Sequence, residues 1–189
     1  MLSKTAKPVI LILSGPSGAG KTTLSHALIT SMPDTLIAVS HTTRNPRPGE
    51  KEGEDYFFIS KQAFQDMIDS GAMLEHAEVY DNLYGTSRTT IEKALHDRKN
   101  LILDIDWQGA RCIKAIYPDA VSVFILPPAG KEAENRLLSR QQDTEKTIQK
   151  RMSSYSEQIS HQDEYDHVLI NADFDSTTRQ LIDILADFR

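Results

Sequence analysis

The sequence predicts an α/β fold in which a parallel central sheet carries helices on both faces. The first observation is a set of continuous apolar runs rich in β-branched residues, which are typical of strands buried on both faces. These runs span residues 9–13, 101–103, 121–126 and 167–170. The second observation is that apolar residues recur at three- and four-residue spacing between the runs, as the helices of such a fold require.

Each helix is predicted from its apolar face. A helix should start at Gly20, because Leu24, Leu28 and Ile29 fall on one side of it. A second helix should follow Gln108, and a third should lie near the C-terminus. Their apolar positions are Ala110, Ile113 and Ile116 for the second, and Leu181, Ile182 and Leu185 for the third.

Length and composition indicate one domain and exclude several classes of function. With 189 residues, 39% of them hydrophobic, the chain should form a single domain with its own core. The net charge of −6 argues against a general nucleic-acid binder. A single cysteine, Cys112, rules out an internal disulfide framework, and no Cys or His spacing predicts a zinc site. No apolar run is long enough to cross a membrane, so we expect a cytoplasmic protein.

Two segments depart from the strand and helix alternation of the core. Residues 36–90 predict a small insert of short strands around one helix, with Ser60 as the N-cap and Gly71 at the end. Residues 127–150 begin with two prolines and become a charged helical stretch, which is typical of a lid. We therefore expect one domain, 1–189, with a core at about 1–35 and 91–189, and the insert and lid at these positions.

The segment GPSGAGKT at residues 15–22 satisfies the P-loop pattern and lies between a predicted strand and a predicted helix. Its glycines permit backbone angles that aim successive N–H groups at an anion, and the helix N-terminus adds a favourable dipole. Lys21 should reach the β- and γ-phosphates of a nucleotide, and Thr22 should offer a hydroxyl to Mg²⁺. The alternative is a plain strand-to-helix turn. Many enzymes share this cradle, so the second substrate must be inferred from other residues.

A second phosphate site is predicted around Arg44 and Arg47, which stand three residues apart in a segment stiffened by Pro46 and Pro48. Fixed guanidinium groups present paired donors that suit phosphate oxygens. The alternative is a solvated basic loop. Hydroxyl groups in the same insert favour the phosphate site, and they belong to Tyr56, Tyr84 and Thr86.

Glu75 is an isolated carboxylate among apolar neighbours in the predicted insert. A carboxylate accepts in parallel from N1–H and the N2 amino group of guanine, whereas adenine lacks this pair of donors. A carboxylate left unpaired against adenine would reject that base by about 10⁴-fold or more. The alternative is an exposed strand residue that binds no ligand.

These motifs, in order along the chain, resemble those of guanylate kinases over nearly its whole length. The matching segments are 15–22, 40–49, 53–58, 74–77, 84–87 and 103–109. The resemblance implies a P-loop NTPase three-layer fold with a small mixed α+β GMP-binding insert and a helical lid. It also implies that the GMP phosphate is held by Arg44, Arg47, Tyr56 and Tyr84, and the guanine by Ser40, Glu75, Thr86 and Asp104.

Two aspartates follow the predicted strand at 101–103. Asp104 and Asp106 are two residues apart, so both side chains can emerge on the same face near the P-loop. One of them could orient Mg²⁺, and the resemblance assigns Asp106, with Thr22, to the metal and Asp104 to guanine. The alternative for Asp106 is a cap on the next helix.

The remaining candidates concern ATP and catalysis. Because phosphoryl transfer depends on alignment and charge neutralisation, cationic side chains are the expected catalytic groups. The predicted catalytic residues are Lys21, Arg44, Arg136, Arg140 and Arg151, although the last three would also suit a charged helix exterior. The predicted ATP contacts are Gly15, Pro16, Ser17, Gly18, Ala19, Gly20, Lys21, Thr22, Thr23 and Asn171.

The sequence thus predicts an enzyme of purine nucleotide metabolism that transfers the γ-phosphoryl group of ATP to GMP with Mg²⁺ as cofactor. One alternative is a guanylate-kinase-like binding module of scaffolding proteins, in which the P-loop is typically damaged. The other is a kinase for AMP or dTMP, for which Glu75 and Ser40 would be the wrong base contacts. The expected partners are ATP and GMP, without nucleic acid or membrane, and a homo-oligomer is left open.

Overall fold

A computed structural model of the chain describes residues 7–128 and 153–188. Its strands are β1 Ile10–Ser14, β2 Thr35–Ile37, β3 Ser40–Thr42, β4 Tyr56–Phe58, β5 Met73–Val79, β6 Asn82–Ser87, β7 Asn100–Asp104, β8 Val121–Leu126 and β9 His167–Ile170. Its helices are α1 Lys21–Ser31, α2 Lys61–Asp69, α3 Arg88–His96, α4 Trp107–Ile116, α5 Tyr155–Ser160 and α6 Phe174–Asp187. One turn of 3₁₀ helix lies at Gln162–Glu164.

The strands form two sheets. The larger sheet is parallel throughout and has the order β2-β7-β1-β8-β9. The smaller sheet has the order β4-β3-β6-β5 and is mixed, because β3 pairs parallel with β4 but antiparallel with β6. The small sheet is built from residues that lie between β2 and α3 in the chain.

Helices cover both faces of the larger sheet. Successive side chains of a strand point to opposite faces, so Leu11 and Leu13 of β1 pack with α1 and α6, whereas Ile10 and Ile12 pack with α3 and α4. All four side chains are at most 5% exposed. The predicted α/β fold with a parallel sheet and helices on both faces is confirmed.

The predicted start of α1 and the predicted ends of α2 are also confirmed. Helix α1 begins directly after Gly20. Ser60 is the N-cap of α2, where its hydroxyl accepts a hydrogen bond of 3.1 Å from the amide of Ala63. Phe64 fills the buried face of α2, and Gly71, with φ of 69°, lies just beyond its end.

The strand predicted at 167–170 is present as β9, but the prediction that it is buried was wrong. Among the described residues, β9 lies at an edge of the larger sheet and pairs with β8 alone. Leu169 packs on the core, but Val168 and Ile170 are 41% and 60% exposed. An apolar run does not reveal whether both faces of a strand are covered, because that depends on the elements packed against it.

The proposed division into core, insert and lid stays a prediction. Residues 36 and 37, which it assigns to the insert, belong to β2 of the larger sheet. Most of the predicted lid at 127–150, with Arg136, Arg140 and Arg151, lies outside the described residues. Within the described ranges, no helix is long and apolar enough to cross a membrane.

Helix α4 connects the two sheets. It follows β7 of the larger sheet and packs on β5 of the smaller one. The Cys112 thiol of α4 donates a hydrogen bond of 3.3 Å to the carbonyl oxygen of Leu74 in β5. The N-terminal turn of α4 therefore lies where the two sheets meet.

Candidate active site

The P-loop connects β1 to α1. Gly15 has a φ of 145°, and a Cβ atom at this position would lie 2.1 Å from the carbonyl oxygen of Ile125, so only glycine fits here. Gly20, with φ of 94°, precedes α1 and has no side chain to cap it. The amides of the first turn are therefore left for an anion at the carboxyl end of β1.

Lys21 and Thr22 meet Asp104 at the end of β7. The Thr22 hydroxyl donates to Oδ2 of Asp104 at 3.2 Å, and Lys21 Nζ lies 3.8 Å from Oδ1 of the same carboxylate. Lys21 Nζ also donates to the carbonyl oxygen of Gly15 at 2.9 Å. Two of the residues predicted to contact ATP and its metal therefore surround one carboxylate.

Arg44 and Arg47 are held by Glu50, a residue that the sequence analysis missed. The two terminal nitrogens of Arg44 donate to the two carboxylate oxygens of Glu50 at 2.8 and 2.9 Å. The Arg47 amide donates to the same carboxylate at 2.7 Å. A carboxylate just beyond two closely spaced arginines was the available signal, since buried guanidinium groups need a counter-charge. The two arginines are thus fixed in the loop by an internal anion.

The Arg44–Glu50 pair stays charged despite its partial burial. Burial alone would raise the pKa of Glu50, but hydrogen bonds from Arg44 and the Arg47 amide bring that pKa below its ordinary value. Burial would likewise lower the pKa of Arg44, and the bonds to Glu50 raise it instead. The solvation loss of each group is therefore offset by the other.

Tyr56 and Tyr84 complete this pocket. Their rings are in edge contact, with centroids 6.1 Å apart, and the guanidinium carbon of Arg44 lies 5.3 Å from the Tyr56 centroid. Burial and the nearby charge of Asp104 raise the pKa of Tyr56. Its hydroxyl therefore remains a hydrogen-bond donor at neutral pH.

Glu75 is buried, with 4% of its surface exposed, so the alternative of an exposed strand residue is wrong. Burial raises the pKa of Glu75 to about 7, the charge of Asp106 adds to this, and hydrogen bonding with Thr86 partly opposes it. Its Oε1 atom has no hydrogen-bond partner among the described residues. The hydroxyls of Thr86 and Ser40 lie 3.2 Å apart next to it. A buried acceptor without a donor is a costly arrangement that a ligand donor would relieve.

Asp106 is the N-cap of α4, as the structural alternative predicted. Its Oδ1 accepts from the amide of Gly109 at 2.9 Å, and its Oδ2 accepts from the Gln108 side chain at 3.0 Å. The charge of Asp106 acts on Glu75, whereas Asp104 contacts Thr22. These contacts favour Asp104 for the metal and Asp106 for the guanine, which is the reverse of the assignment that the resemblance implies.

The predicted sites face one cleft of about 330 Å³. Its lining includes Lys21, Thr22 and Asp104 on one side and Arg44, Arg47 and Glu75 on the other. Gly15, Ser17, Gly18 and Gly20 of the P-loop also line it. The P-loop and the arginine pocket therefore share a cavity instead of lying on separate surfaces, as transfer between two bound groups requires.

Other predicted ATP contacts lie outside the lining of the cleft. Pro16 and Ala19 belong to the P-loop, and Thr23 lies on an exposed part of α1. Asn171 is buried, and its amide donates to the carbonyl oxygen of Ala19 at 2.8 Å, so it supports the P-loop backbone. Thr86, predicted to contact guanine, is also fully buried. The roles of these residues stay predictions.

A second group missed from the sequence packs at the rim of the cleft. Trp107, which lines the cleft, stacks on His161 with ring centroids 3.8 Å apart. The Arg111 guanidinium carbon lies 4.5 Å from the Trp107 ring, and Arg111 forms paired hydrogen bonds of 2.6 Å with Glu164. Because these residues are about 50 positions apart, no local pattern revealed the cluster.

Helix α5 also reaches the side of the cleft that the smaller sheet forms. The side-chain amide of Gln158 in α5 donates a hydrogen bond of 2.7 Å to the Tyr80 hydroxyl, which joins α5 to the β5–β6 turn. Ser154, Glu157 and Gln158 line the cleft.

Among residues 7–128 and 153–188, no cluster of three or more His, Cys, Asp or Glu forms a metal site.

The raised pKa of Glu75 predicts a pH-dependent stability. The pKa is ordinarily 4.5 and about 7 in the folded chain, so the stabilising effect of the bound proton is complete below pH 4.5 and is lost as the pH rises through 7. Glu75→Gln should raise the free energy of unfolding by about 3 kcal/mol at pH 8 and by about 1 kcal/mol at pH 5. Urea unfolding at both pH values measures this.

Glu78→Gln is the control for that measurement, because Glu78 is on the same strand and exposed. It should change the free energy of unfolding little at either pH. A gain for Glu75→Gln that is equal at both pH values would contradict the raised pKa.

Comparison with known proteins identifies the family of the chain. The chain matches the family model described as Guanylate kinase over residues 6–188. It is 49% identical over 182 residues to a guanylate kinase of Escherichia coli O157:H7, covering 95% of this chain and 88% of the relative. A guanylate kinase of Methylococcus capsulatus is 48% identical over 173 residues, covering 92% and 85%.

The same likeness holds in three dimensions. A crystal structure of guanylate kinase from Anaplasma phagocytophilum superposes with a TM-score of 0.79 at 33% identity, covering 96% of this chain and 86% of the other. A shared fold alone would leave function open. Here the match in fold accompanies a family match over nearly the whole sequence, and the chain belongs to the guanylate kinase family.

Proposed function

We propose that this enzyme transfers the γ-phosphoryl group of ATP to GMP, forming ADP and GDP. The observation that carries the proposal is the single cleft, which holds a P-loop, a fixed arginine pair and a buried carboxylate. A cleft of this kind binds two phosphate groups and recognises one base by hydrogen bonding. Holding both substrates in one geometry supplies much of the rate gain in phosphoryl transfer.

The P-loop side binds the donor. Its backbone amides and the N-terminus of α1 surround the ATP phosphates, and Lys21 neutralises charge on the transferred group. Lys21 now contacts Gly15 and Asp104, so its ammonium already points into the cleft. The arginines predicted to assist from the lid, Arg136, Arg140 and Arg151, remain candidates for the same task.

Mg²⁺ is the proposed cofactor, and the side chains at the P-loop suit it. Thr22 and Asp104 offer a hydroxyl and a carboxylate oxygen 3.2 Å apart, the hard ligands that Mg²⁺ prefers. Mg²⁺ usually keeps several waters and takes few protein ligands beside substrate phosphates. When bound, it would neutralise phosphate charge. We assign Thr22 and Asp104 to hold it, and Asp106 to the base side.

The opposite side binds the acceptor. Arg44 and Arg47 hold the GMP phosphate, with the hydroxyls of Tyr56 and Tyr84 as further donors. Because Arg44 already pairs with Glu50, little side-chain entropy is lost when phosphate arrives. Tyr56 remains protonated, so it donates to the anion without adding charge.

Glu75 recognises the guanine base. Its unpaired Oε1 accepts from guanine N1–H while its other oxygen accepts from the N2 amino group, and both donors favour the ionised carboxylate. Ser40 and Thr86 lie next to it and contribute hydroxyls. Adenine would leave Glu75 unpaired in a buried site, so no observation favours the AMP alternative. The intact P-loop likewise gives no support to the non-catalytic binding module.

We place the reaction in the cytoplasm, with ATP and GMP as partners and neither nucleic acid nor membrane. The net charge of −6 supports the absence of a nucleic-acid partner, and the single cysteine suits a reducing compartment. A homo-oligomer remains open.

The acceptor preference is the first test. Purified protein with MgATP should convert GMP to GDP with a kcat/KM about 10⁴-fold above that for AMP, because a buried carboxylate rejects a base without paired donors. A coupled assay of ADP release over GMP, AMP, CMP and UMP measures this. Glu75→Gln is the matched variant and should narrow the gap. Equal rates with AMP would contradict the guanine assignment.

The separate roles of the two aspartates give a second test. Asp104→Asn should lower kcat and raise the Mg²⁺ concentration needed, with KM for GMP changed less than about twofold. Asp106→Asn should leave the Mg²⁺ requirement unchanged and lower KM for GMP at pH 6, because removing this charge lowers the pKa of Glu75 and favours the ionised carboxylate that binds guanine. Asparagine caps helices as well as aspartate, so α4 is preserved.

Steady-state kinetics over a Mg²⁺ titration separates these outcomes. The reverse pattern would restore the other assignment, in which Asp106 serves the metal and Asp104 the guanine. In that pattern, Asp106→Asn would shift the Mg²⁺ requirement while Asp104→Asn would weaken GMP.

A further inference from the structure

Gly109 lies one turn into α4 and is buried between two acidic side chains. Its amide donates to Oδ1 of Asp106 at 2.9 Å. On its other side it faces Glu75: a Cβ atom at position 109 would lie 2.6 Å from Oε2 and 3.2 Å from Cδ of that carboxylate. Such a contact is well inside van der Waals distance, so no residue larger than glycine fits while Glu75 keeps its place.

The backbone at Gly109 does not itself require glycine. The residue lies inside a regular helix, and it is absent from the positive-φ glycines found among the described residues. Alanine at such a position normally stabilises a helix by up to about 1 kcal/mol. The constraint on this position therefore comes from side chains and not from the main chain: the Glu75 carboxylate is the tightest contact, and Ile105 Cβ would lie 3.3 Å from the added atom.

The two backbone elements at this contact are held together, so the Glu75 side chain is the part that would have to move. One turn further along the same face, the Cys112 thiol holds α4 to the Leu74 carbonyl in β5, next to Glu75. The Glu75 side chain is 4% exposed and faces Thr86 and Asp106. A methyl group at position 109 would therefore displace the carboxylate from the side of the cleft that reads the base, while the backbone of both elements stays.

We propose that Gly109 is a specificity-determining positioning residue, whose missing side chain sets where the Glu75 carboxylate lies against α4 and thereby its reach to a guanine base. The inference rests on the proposed function, because it concerns the base that Glu75 binds. Gly109 touches no substrate in this account and acts only through Glu75. It also supports the N-cap Asp106 through its amide, which any residue except proline at position 109 would retain.

The proposal predicts the behaviour of Gly109→Ala in the full-length enzyme. KM for GMP should rise about tenfold or more, the loss expected when hydrogen bonds to a charged group are misaligned. KM for ATP should change less than about twofold. The preference for GMP over IMP, which lacks the N2 amino group, should also fall, because only the paired contact distinguishes these two bases.

A double-mutant cycle with Glu75→Asp provides the sharpest readout. Aspartate is one methylene shorter, so its carboxylate withdraws from α4 and leaves room for a methyl group. Glu75→Asp alone should weaken GMP, and adding Gly109→Ala to it should cost less than about twofold more. Cys112→Ala is the matched control on the same helix face. It loosens the packing of α4 on β5 without a Cβ clash and should leave the GMP-to-IMP preference unchanged.

The results separate the two levels of the account. Strong non-additivity with a reduced GMP-to-IMP preference supports the proposal. An unchanged KM for GMP in Gly109→Ala, or an equal penalty in the Glu75→Asp background, would overturn it while the unmodified enzyme still phosphorylates GMP. Failure of the unmodified enzyme to use GMP would overturn the proposed function itself. That failure would be seen in the unmodified enzyme, before any substitution is made.

Discussion

The parallel pairing of β1 with β7 is the constraint on which the site depends. Leu13 stands opposite Asp104 in this register, so the P-loop that follows β1 emerges directly beside the carboxylate that ends β7. The pairing continues one residue further, where the Ile105 amide donates to Leu13 and the Ser14 hydroxyl donates to the Ile105 carbonyl oxygen at 2.7 Å. A shift of one residue would turn Asp104 to the other face of the sheet.

From that register the second half of the site follows through α4. Asp106 caps this helix immediately after β7, and the helix packs on β5, which contains Glu75. The small sheet then brings Tyr84 and the loop of Arg44 to the same cleft through the pairing of β6 with β5 and β3. The relative positions of the ATP site and the GMP site are thus fixed by strands and helices and not by loops alone.

Two cations of the cleft are paired with internal anions before substrate binds. Lys21 lies near Asp104, and Arg44 pairs with Glu50. These pairs keep the two cations oriented in a protein whose net charge is negative. Glu75 differs, since no cation among the described residues offsets its burial and its pKa rises to about 7. The base pocket is therefore the part of the site that gains most from its ligand.

The structure confirms the sequence predictions that depend on local patterns. The loop between β1 and α1, the cap at Ser60 and three of the four buried strands depend on residues within a few positions of one another. The roles of the P-loop and of the arginine pair stay predictions. Glu75 was found because a carboxylate among apolar residues is unusual. Its burial, and its contact with Gly109 from a distant helix, required the packing of α4 on β5. The pairing of Glu50 with both arginines, the exposure of β9 and the neighbours of Asp104 and Asp106 likewise follow from tertiary structure.

The central claim is that two phosphate sites face each other in one cavity. A compound that joins adenosine and guanosine through a single polyphosphate chain tests this directly, because it fills both sites only if they share a cleft. The account predicts that it competes with both ATP and GMP and binds far more tightly than either, since one binding event replaces two. Competition with only one substrate, at an affinity no better than that substrate's own, would contradict it.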